Sequence, residues 1–237
     1  MQLVAVFAIV GTYAGLCVVE RSPLHRLLGG MPWLVIAAAG FAIVPPWVAA
    51  HAGSPLALTD RVGIVPSGLA GFVLADLTGY LTHRARHTLP MLWRWHQLHH
   101  SAERVDVAGA AFLHPIDLAI ELAGVIAAAI ALGLSPDATV VAAFATWLAT
   151  MFQHLRASTP PWLGRIIQRP EAHAVHHARG VHAYNYGKLM IWDIALGTFR
   201  DPAQFAAGPA GFWDGASGEL AVMLAGRDVG DSRKDER

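Results

Sequence analysis

Five of the chain's 13 histidines fall between His83 and His100, in the stretch HRARHTLPMLWRWHQLHH at the end of an apolar run. A second cluster, HAVHH from His173 to His177, follows two further apolar runs. In helical flanks His83 and His87 stand at i and i+4. His96, His99 and His100 stand at i, i+3 and i+4, as do His173, His176 and His177, so each box projects from one face of its helix. Neutral imidazole offers a ring lone pair without giving up a strongly held proton, which makes it the commonest protein metal ligand. One histidine at a membrane boundary is ordinarily an interfacial or hydrogen-bonding residue. Three boxes and the lone His154, each beside the end of an apolar span, read instead as one ligand set at a membrane surface.

Composition supports that surface. Hydrophobic residues make up 54% of the chain and charged residues 14%, and a mean hydropathy of +0.42 describes a protein held mostly in lipid. The formal net charge is zero, so nothing points to a nucleic-acid partner. Cys17, the only cysteine, lies inside an apolar run. It can form no internal disulfide and builds no thiolate zinc or iron–sulfur site.

A bilayer core of about 30 Å takes about 20 helical residues. Apolar runs near that length cover roughly Leu3 to Val19, Met31 to Ala50 and Val62 to Leu81, and two more, Ile116 to Leu134 and Ala138 to Phe152, are parted by the turn Ser135-Pro136-Asp137. The first run has no basic start and no small-residue cleavage site before a polar chain, so it reads as an anchor and not a signal peptide. Pro45-Pro46 is expected to kink or end the second helix early. With five spans, Arg21, Arg26, the four arginines from Arg84 to Arg104 and all the chain beyond Phe152 share one side, against Arg61 on the other. The positive-inside rule puts that side, and every box, in the cytosol. The expected fold is all-α: a polytopic transmembrane bundle of four to five spans with a cytosolic, histidine-rich helical cap. It divides into anchor spans over 1–82, a first histidine segment over 83–115, a hairpin over 116–152, a second histidine segment over 153–200, and a loop and flexible tail over 201–237.

Carboxylates inside apolar helices are costly unless they are used. Asp76, Tyr80 and His83 share one helix face, and Asp76 is expected to accept the Nδ1 hydrogen of a ligand histidine, fixing its tautomer. Asp117 and Glu121 repeat the arrangement after His114-Pro115. An acid in a first turn is favoured by the helix dipole alone, so the deeper Glu121 is the better candidate for supporting a ligand. His114 reads as a hydrogen-bonding residue that packs the first boxes against the hairpin.

Nitrogen ligation suits zinc, copper, iron and nickel alike. Nine or more ligands exceed the needs of one ion and imply two. The chain has no HExxH motif of the zinc peptidases, and its boxes sit at the ends of spans, where axial haem ligands would lie within them.

In order, DLTGYLTHRARH, LWRWHQLHHS, HP, QH, RPEAHAVHH, NYG and WDIALGTF resemble the fatty acid hydroxylase and sterol desaturase superfamily of membrane-bound, histidine-box oxygenases. The resemblance runs from about Asp76 to Pro202. It implies a di-iron site, with zinc a possible substitute in purified protein, that uses O2 and electrons from a separate cytochrome b5-, ferredoxin- or rubredoxin-like donor to hydroxylate or desaturate a lipid. The implied ligands are His83, His87, His96, His99, His100, His154, His173, His176 and His177. Ser158 stands where some members carry another box histidine, and His182 is the candidate tenth ligand. Asn185 and Asp193, in the closing NYG and WD segments, are implied supports of the site. Two other functions fit the same histidines. One is a metal transporter or sensor without redox chemistry, which would want polar residues along a mid-membrane path. The other is a metal-dependent lipid hydrolase, which would leave the excess of histidines unexplained.

Overall fold

The computed structural model describes residues 2–22, 24–205 and 208–229. Helices α1 (Gln2–Val19), α2 (Leu24–His51), α3 (Leu58–Val62), α4 (Ile64–Thr88), α5 (Pro90–His100), α6 (Val107–Ala110), α7 (Pro115–Leu132), α8 (Pro136–Gln153), α9 (Pro170–His176), α10 (Met190–Ala195) and α11 (Leu220–Leu224) follow in order. Among the described residues the only β-pairing is two isolated bridges.

Proline sets where the site-bearing helices start. Pro90, Pro115, Pro136 and Pro170 each occupy the first helical position, where the missing N–H costs nothing and φ is already helical. Leu89, held extended ahead of Pro90, ends α4 and turns the chain into α5. Gly133 closes α7 in the left-handed conformation at φ 64°, and Ser135 caps α8 by accepting from Ala138 N.

Three helical segments are long and apolar enough to cross a membrane, Leu28–His51, Ile64–Thr88 and Pro115–Leu132. The apolar part of α1, Val4–Val19, is shorter. The 18-residue α8 carries Asp137 and three threonines, and Thr139, Thr146 and Thr150 each return their hydroxyl to the carbonyl four residues back. Each of the five expected spans is a helix. The expected early end of the second is not found: α2 continues past Pro45 and Pro46 to His51. Packing against α7 and α8 holds the helix through its missing hydrogen bonds, a tolerance usual in apolar helix bundles.

The hairpin helices α7 and α8 each pack on both α2 and α4 and touch each other little, so α2 and α4 lie at opposite corners of a four-helix core, with α1 against α2 and α8. Phe41, Leu122, Val125, Trp147 and Met151 fill its centre. Gly68 lets α4 approach α8, since a Cβ there would stand 2.6 Å from Val141 Cβ and 2.7 Å from Ala138 O. Glu20, at the end of α1, accepts from Val107 N and Arg156 N and ties the anchor to two loops near the histidines. The segment expected to be loop and tail folds back on α5: Met223 of α11 and Val229 pack with Leu98, and Gln97 bonds Arg227 O and Val229 N. Residues 230–237 of the expected tail lie outside the described residues.

Gly68→Ala should lower unfolding stability by about 1–3 kcal/mol through overpacking, read as a fall in thermal midpoint in mild detergent. Gly11→Ala, where nothing lies within 4 Å of the new methyl, should leave the midpoint unchanged or raise it.

Candidate metal centre

Four elements converge on the boxes. α4 supplies His83 and His87, α5 supplies His96, His99 and His100, the end of α8 supplies His154, and α9 with its cap supplies His173, His176 and His177. The nine imidazoles form two groups. His83, His87, His96, His100 and His176 make one, and His99, His154, His173 and His177 the other, with the ligand atoms of each group within 4.8 Å of one another. Each HxxHH box is divided between the two. At about 100° per residue, i and i+4 point almost together while i+3 is turned away. So His96 and His100 enter the first group and His99 the second, and His173 and His177 enter the second group and His176 the first. The rings of His100 and His177 stack at 4.1 Å, which sets the groups side by side.

The imidazoles are oriented from outside. His83 Nδ1 donates to Tyr186 O at 2.8 Å, His176 Nδ1 to Tyr184 O at 2.7 Å, His154 Nδ1 to Thr150 O at 2.7 Å and His96 Nδ1 to Asp117 Oδ2 at 2.8 Å. Each bond fixes a tautomer whose Nε2 lone pair faces inward. Inside, Nε2 meets Nε2 at 3.1 Å between His96 and His100, 3.2 Å between His99 and His154, and 3.1 Å from His173 to both His154 and His177. Ligands held about 2.1 Å from one ion stand about 3.0–3.4 Å apart. His83 Nε2 and His176 Nε2 are buried without a hydrogen-bond partner. An all-imidazole set with inward lone pairs fits two metal ions.

Burial and the surrounding imidazoles push His99, His100, His173 and His177 well below the ordinary histidine range. Burial brings His154 and His182 to about 4 and His176 to about 3. These rings are neutral at pH 7 and ready to ligate.

The supporting acids are not the expected ones. Asp76 touches no histidine. Its carboxylate accepts from Lys188 N at 2.9 Å, Leu189 N at 2.7 Å and Trp192 Nε1 at 3.1 Å. Glu121 pairs with Lys188 Nζ at 2.6 Å and Arg86 at 3.4 Å. Asp117, set aside as a helix-dipole residue, is the acid that meets a ligand candidate: its Oδ2 accepts from His96 Nδ1, and its Oδ1 forms an ion pair with Arg86 Nε 3.0 Å away. Tyr80 OH lies 3.0 Å from Thr198 Oγ1. His114 caps α7 by accepting from Ile116 N, donates to Leu224 O and lies against Trp95, so both ring nitrogens are taken. His182 stands outside both groups, with its Nδ1 3.2 Å from His100 Nδ1.

Asn185 and Asp193 hold the closing segment. Asn185 donates to Ala172 O and Arg200 O and accepts from Arg200 N, while its carbonyl accepts from Gln168 Nε2. Asp193 accepts from Tyr186 N, Gly187 N and Thr198 Oγ1. Tyr184 and Asn185 are left-handed at φ 67° and 48°, a conformation unusual without glycine, within the loop whose carbonyls at Tyr184 and Tyr186 hold His176 and His83. Sequence reasoning missed Tyr186, whose ring lies against His83, His87 and His176. It also missed Arg86 and Lys188; a basic residue one position from a box histidine and another in NYGK were the available signals.

A cavity of about 50 Å³ joins this site to the bundle interior. His83 and His96 from one group and His99 and His154 from the other line it, facing Phe41 and Trp147. A molecule held there meets both groups at once.

A family model for fatty acid hydroxylases matches residues 68–198. The chain is 33% identical over 137 residues to ornithine lipid hydroxylase OlsE of Rhizobium tropici, covering 56% of this chain and 41% of that protein. It is 31% identical over 136 residues to human alkylglycerol monooxygenase, 55% of this chain and 30% of that one. It is 31% identical over 156 residues to fatty acid hydroxylase vlmA of Lecanicillium sp, 54% and 40%. The chain thus spans less than half the length of these curated relatives. No solved structure matches it.

Asp117→Asn should weaken metal affinity by about 10–100-fold, measured by competition with a chromophoric chelator. Stripped of metal, the protein should lose stability as pH falls from about 6.5 toward 4. In that window the unfolded chain binds protons that His154 and His176, at about 4 and 3 in the fold, refuse, so unfolding gains as protons are added. Melting temperatures that stay flat across this window would remove the neutral-histidine account.

Proposed function

Because the chain belongs to the fatty acid hydroxylase family, with residues 68–198 matched, we propose that it is a membrane-bound di-iron oxygenase acting on a C–H bond of a lipid. The observation that carries this reading is the pair of adjoining histidine groups, five and four imidazoles, opening on one shared cavity. Two irons held by these groups would supply O2 activation, with electrons from a separate carrier of the cytochrome b5, ferredoxin or rubredoxin kind. For hydroxylation, one O2, two electrons and two protons convert the C–H bond to an alcohol and one water.

The residues divide the remaining work. His83, His87, His96, His100 and His176 hold one ion, and His99, His154, His173 and His177 hold the other. His182 backs His100 from outside rather than serving as a tenth ligand. Asp117 fixes the His96 ring, and Arg86 neutralises the carboxylate so that a buried anion is not left unpaired. Phe41 and Trp147 form an apolar wall along which a lipid chain reaches the histidines, and they keep water from the reacting carbon. Asp76 and Glu121, the polar residues a transport path would need, are committed to static contacts, which favours oxygenation over transport.

The relatives are named for an ornithine lipid, alkylglycerols and fatty acids. For this chain we take from them the class alone, a long-chain lipid. The excess of arginines on the histidine side, against Arg61 on the other, favours a cytosolic active face.

Protein purified in mild detergent from iron-supplemented cells should contain about two irons per chain, one for each histidine group, by elemental analysis. His176→Ala should lose metal and lipid oxidation together while remaining in the membrane fraction. Folded protein without stoichiometric metal, or a His176→Ala variant of normal activity, would refute the di-iron reading.

A further inference from the structure

The segment after the last histidine box is bonded to α4 within that helix's apolar stretch. Its fixed point is Asp76. From Ile64 to Leu81 α4 carries no charge except Asp76, and at 1.5 Å per residue Asp76 lies roughly 8 Å inside the Leu81 end of that apolar stretch. Leu189 N and Trp192 Nε1 bond its carboxylate, so the start of α10 is pinned beside α4 at that depth. Tyr80 OH, one turn nearer the end, meets Thr198 Oγ1 and fixes the segment's return at a second level.

The surface of this unit is reversed from that of a water-facing helix. In α10 the polar Asp193 and Met190 are buried, while Ile191 is 56% and Ile194 50% exposed. The turn Pro161–Arg165 packs on α10 and carries Trp162, 64% exposed; Ile166, whose carbonyl accepts from Met190 N, is 59% exposed. Leu196, just past α10, is 47% exposed. Irregular backbone survives at membrane depth only when its polar groups are satisfied within the protein, and here they are. Asp193 takes Tyr186 N and Gly187 N, Asp76 takes Lys188 N and Leu189 N, and Lys188 O accepts from Gln168 N.

We propose that α10 and the Pro161–Arg165 turn are embedded in the leaflet on the histidine side, with Ile191, Ile194, Leu196, Ile166 and Trp162 contacting acyl chains. The occupant of this face is lipid because the face continues outward from a membrane-crossing helix at a depth set by a bonded carboxylate. The inference rests on α4 crossing the bilayer and does not depend on the metal or the reaction. It also couples membrane contact to the site, since the embedded segment follows directly on the Tyr184 and Tyr186 carbonyls that orient His176 and His83.

The test is nitroxide depth measurement on the full chain in phosphatidylcholine vesicles, with Cys17→Ala as background. Single labels are placed through Ile191→Cys and Ile194→Cys, with Asp214→Cys as a water control and Val73→Cys as a mid-α4 control. The ratio of relaxation by O2 to relaxation by a water-soluble nickel chelate should be several-fold higher at 191 and 194 than at 214, and similar in sense to 73. Labels at 191 and 194 that behave like 214 while 73 reports lipid would overturn the proposal. Labels at 191 and 194 shielded from both reagents would also overturn it, placing protein on this face. A water-like signal at 73 would overturn the spanning assignment of α4 itself, a failure distinct from the other two.

Discussion

Imidazole nitrogens turned toward one another in a buried interior suit a cation between them, and much of the structure around the two histidine groups keeps them so turned. Protonating the rings fully would charge them, and burial opposes this, holding His154 and His176 below the ordinary histidine range. Metal meets the need without such a charge penalty on the ligands. The protein's part is to keep the lone pairs aimed, and it does so with rigid acceptors behind the rings: helical carbonyl Thr150 O, loop carbonyls Tyr184 O and Tyr186 O, and the carboxylate of Asp117. Three of these lie on elements other than the one that bears the histidine. Orientation of the ligands is therefore a property of the tertiary fold.

The buried acids are divided between two tasks. Asp117 serves a histidine and is neutralised by Arg86. Asp76 and Asp193 serve backbone N–H groups of the closing segment, where four successive residues from Tyr186 to Leu189 have no helix or sheet to bond to. A carboxylate that accepts several N–H bonds replaces a turn of helix as a source of satisfaction for that backbone. Trp192 and Thr198 complete the same two carboxylates, which gives a physical reason for acids, an aromatic donor and a hydroxyl at these positions in the closing motif.

Much of this was legible in the sequence, because it depends on local periodicity. The five apolar helices and the three histidine boxes with His154 follow from spacing and composition. The partners did not. Asp76 and the backbone it holds are 112 and 113 residues apart, and only the return of the chain along α4 brings them together. Spacing did put Asp76, Tyr80 and His83 on one face, and all three meet the closing segment, but the face meets backbone and a threonine where a histidine was expected. Asp117 was passed over because a first-turn acid has a sufficient local explanation in the helix dipole. The angle between α5 and α7, which aims His96 at it, is not written in either helix alone. At Pro45-Pro46 the helix does not end, because it packs on α7 and α8.

The site and the wall facing it come from different parts of the chain. The matched segment 68–198 contains both histidine groups, Asp117, Arg86, Lys188 and the closing motif, so it is sufficient in donor atoms for the chemistry. It also contains Trp147, yet Phe41, which meets Trp147 at a ring separation of 6.2 Å and lines the cavity with it, comes from α2. The same holds on the far side of α5, where Leu98 and Gln97 are covered by Met223, Arg227 and Val229, beyond the matched segment. Phe41 thus faces His83, His96, His99 and His154 across that cavity from a part of the chain outside the matched segment. Both histidine groups lie within the matched segment, and the cavity beside them is completed by a residue outside it. The hydrogen bonds that orient the ligand-candidate rings come from α7, α8 and the loop at Tyr184 and Tyr186, so Phe41 shapes the cavity from an element that supplies none of them.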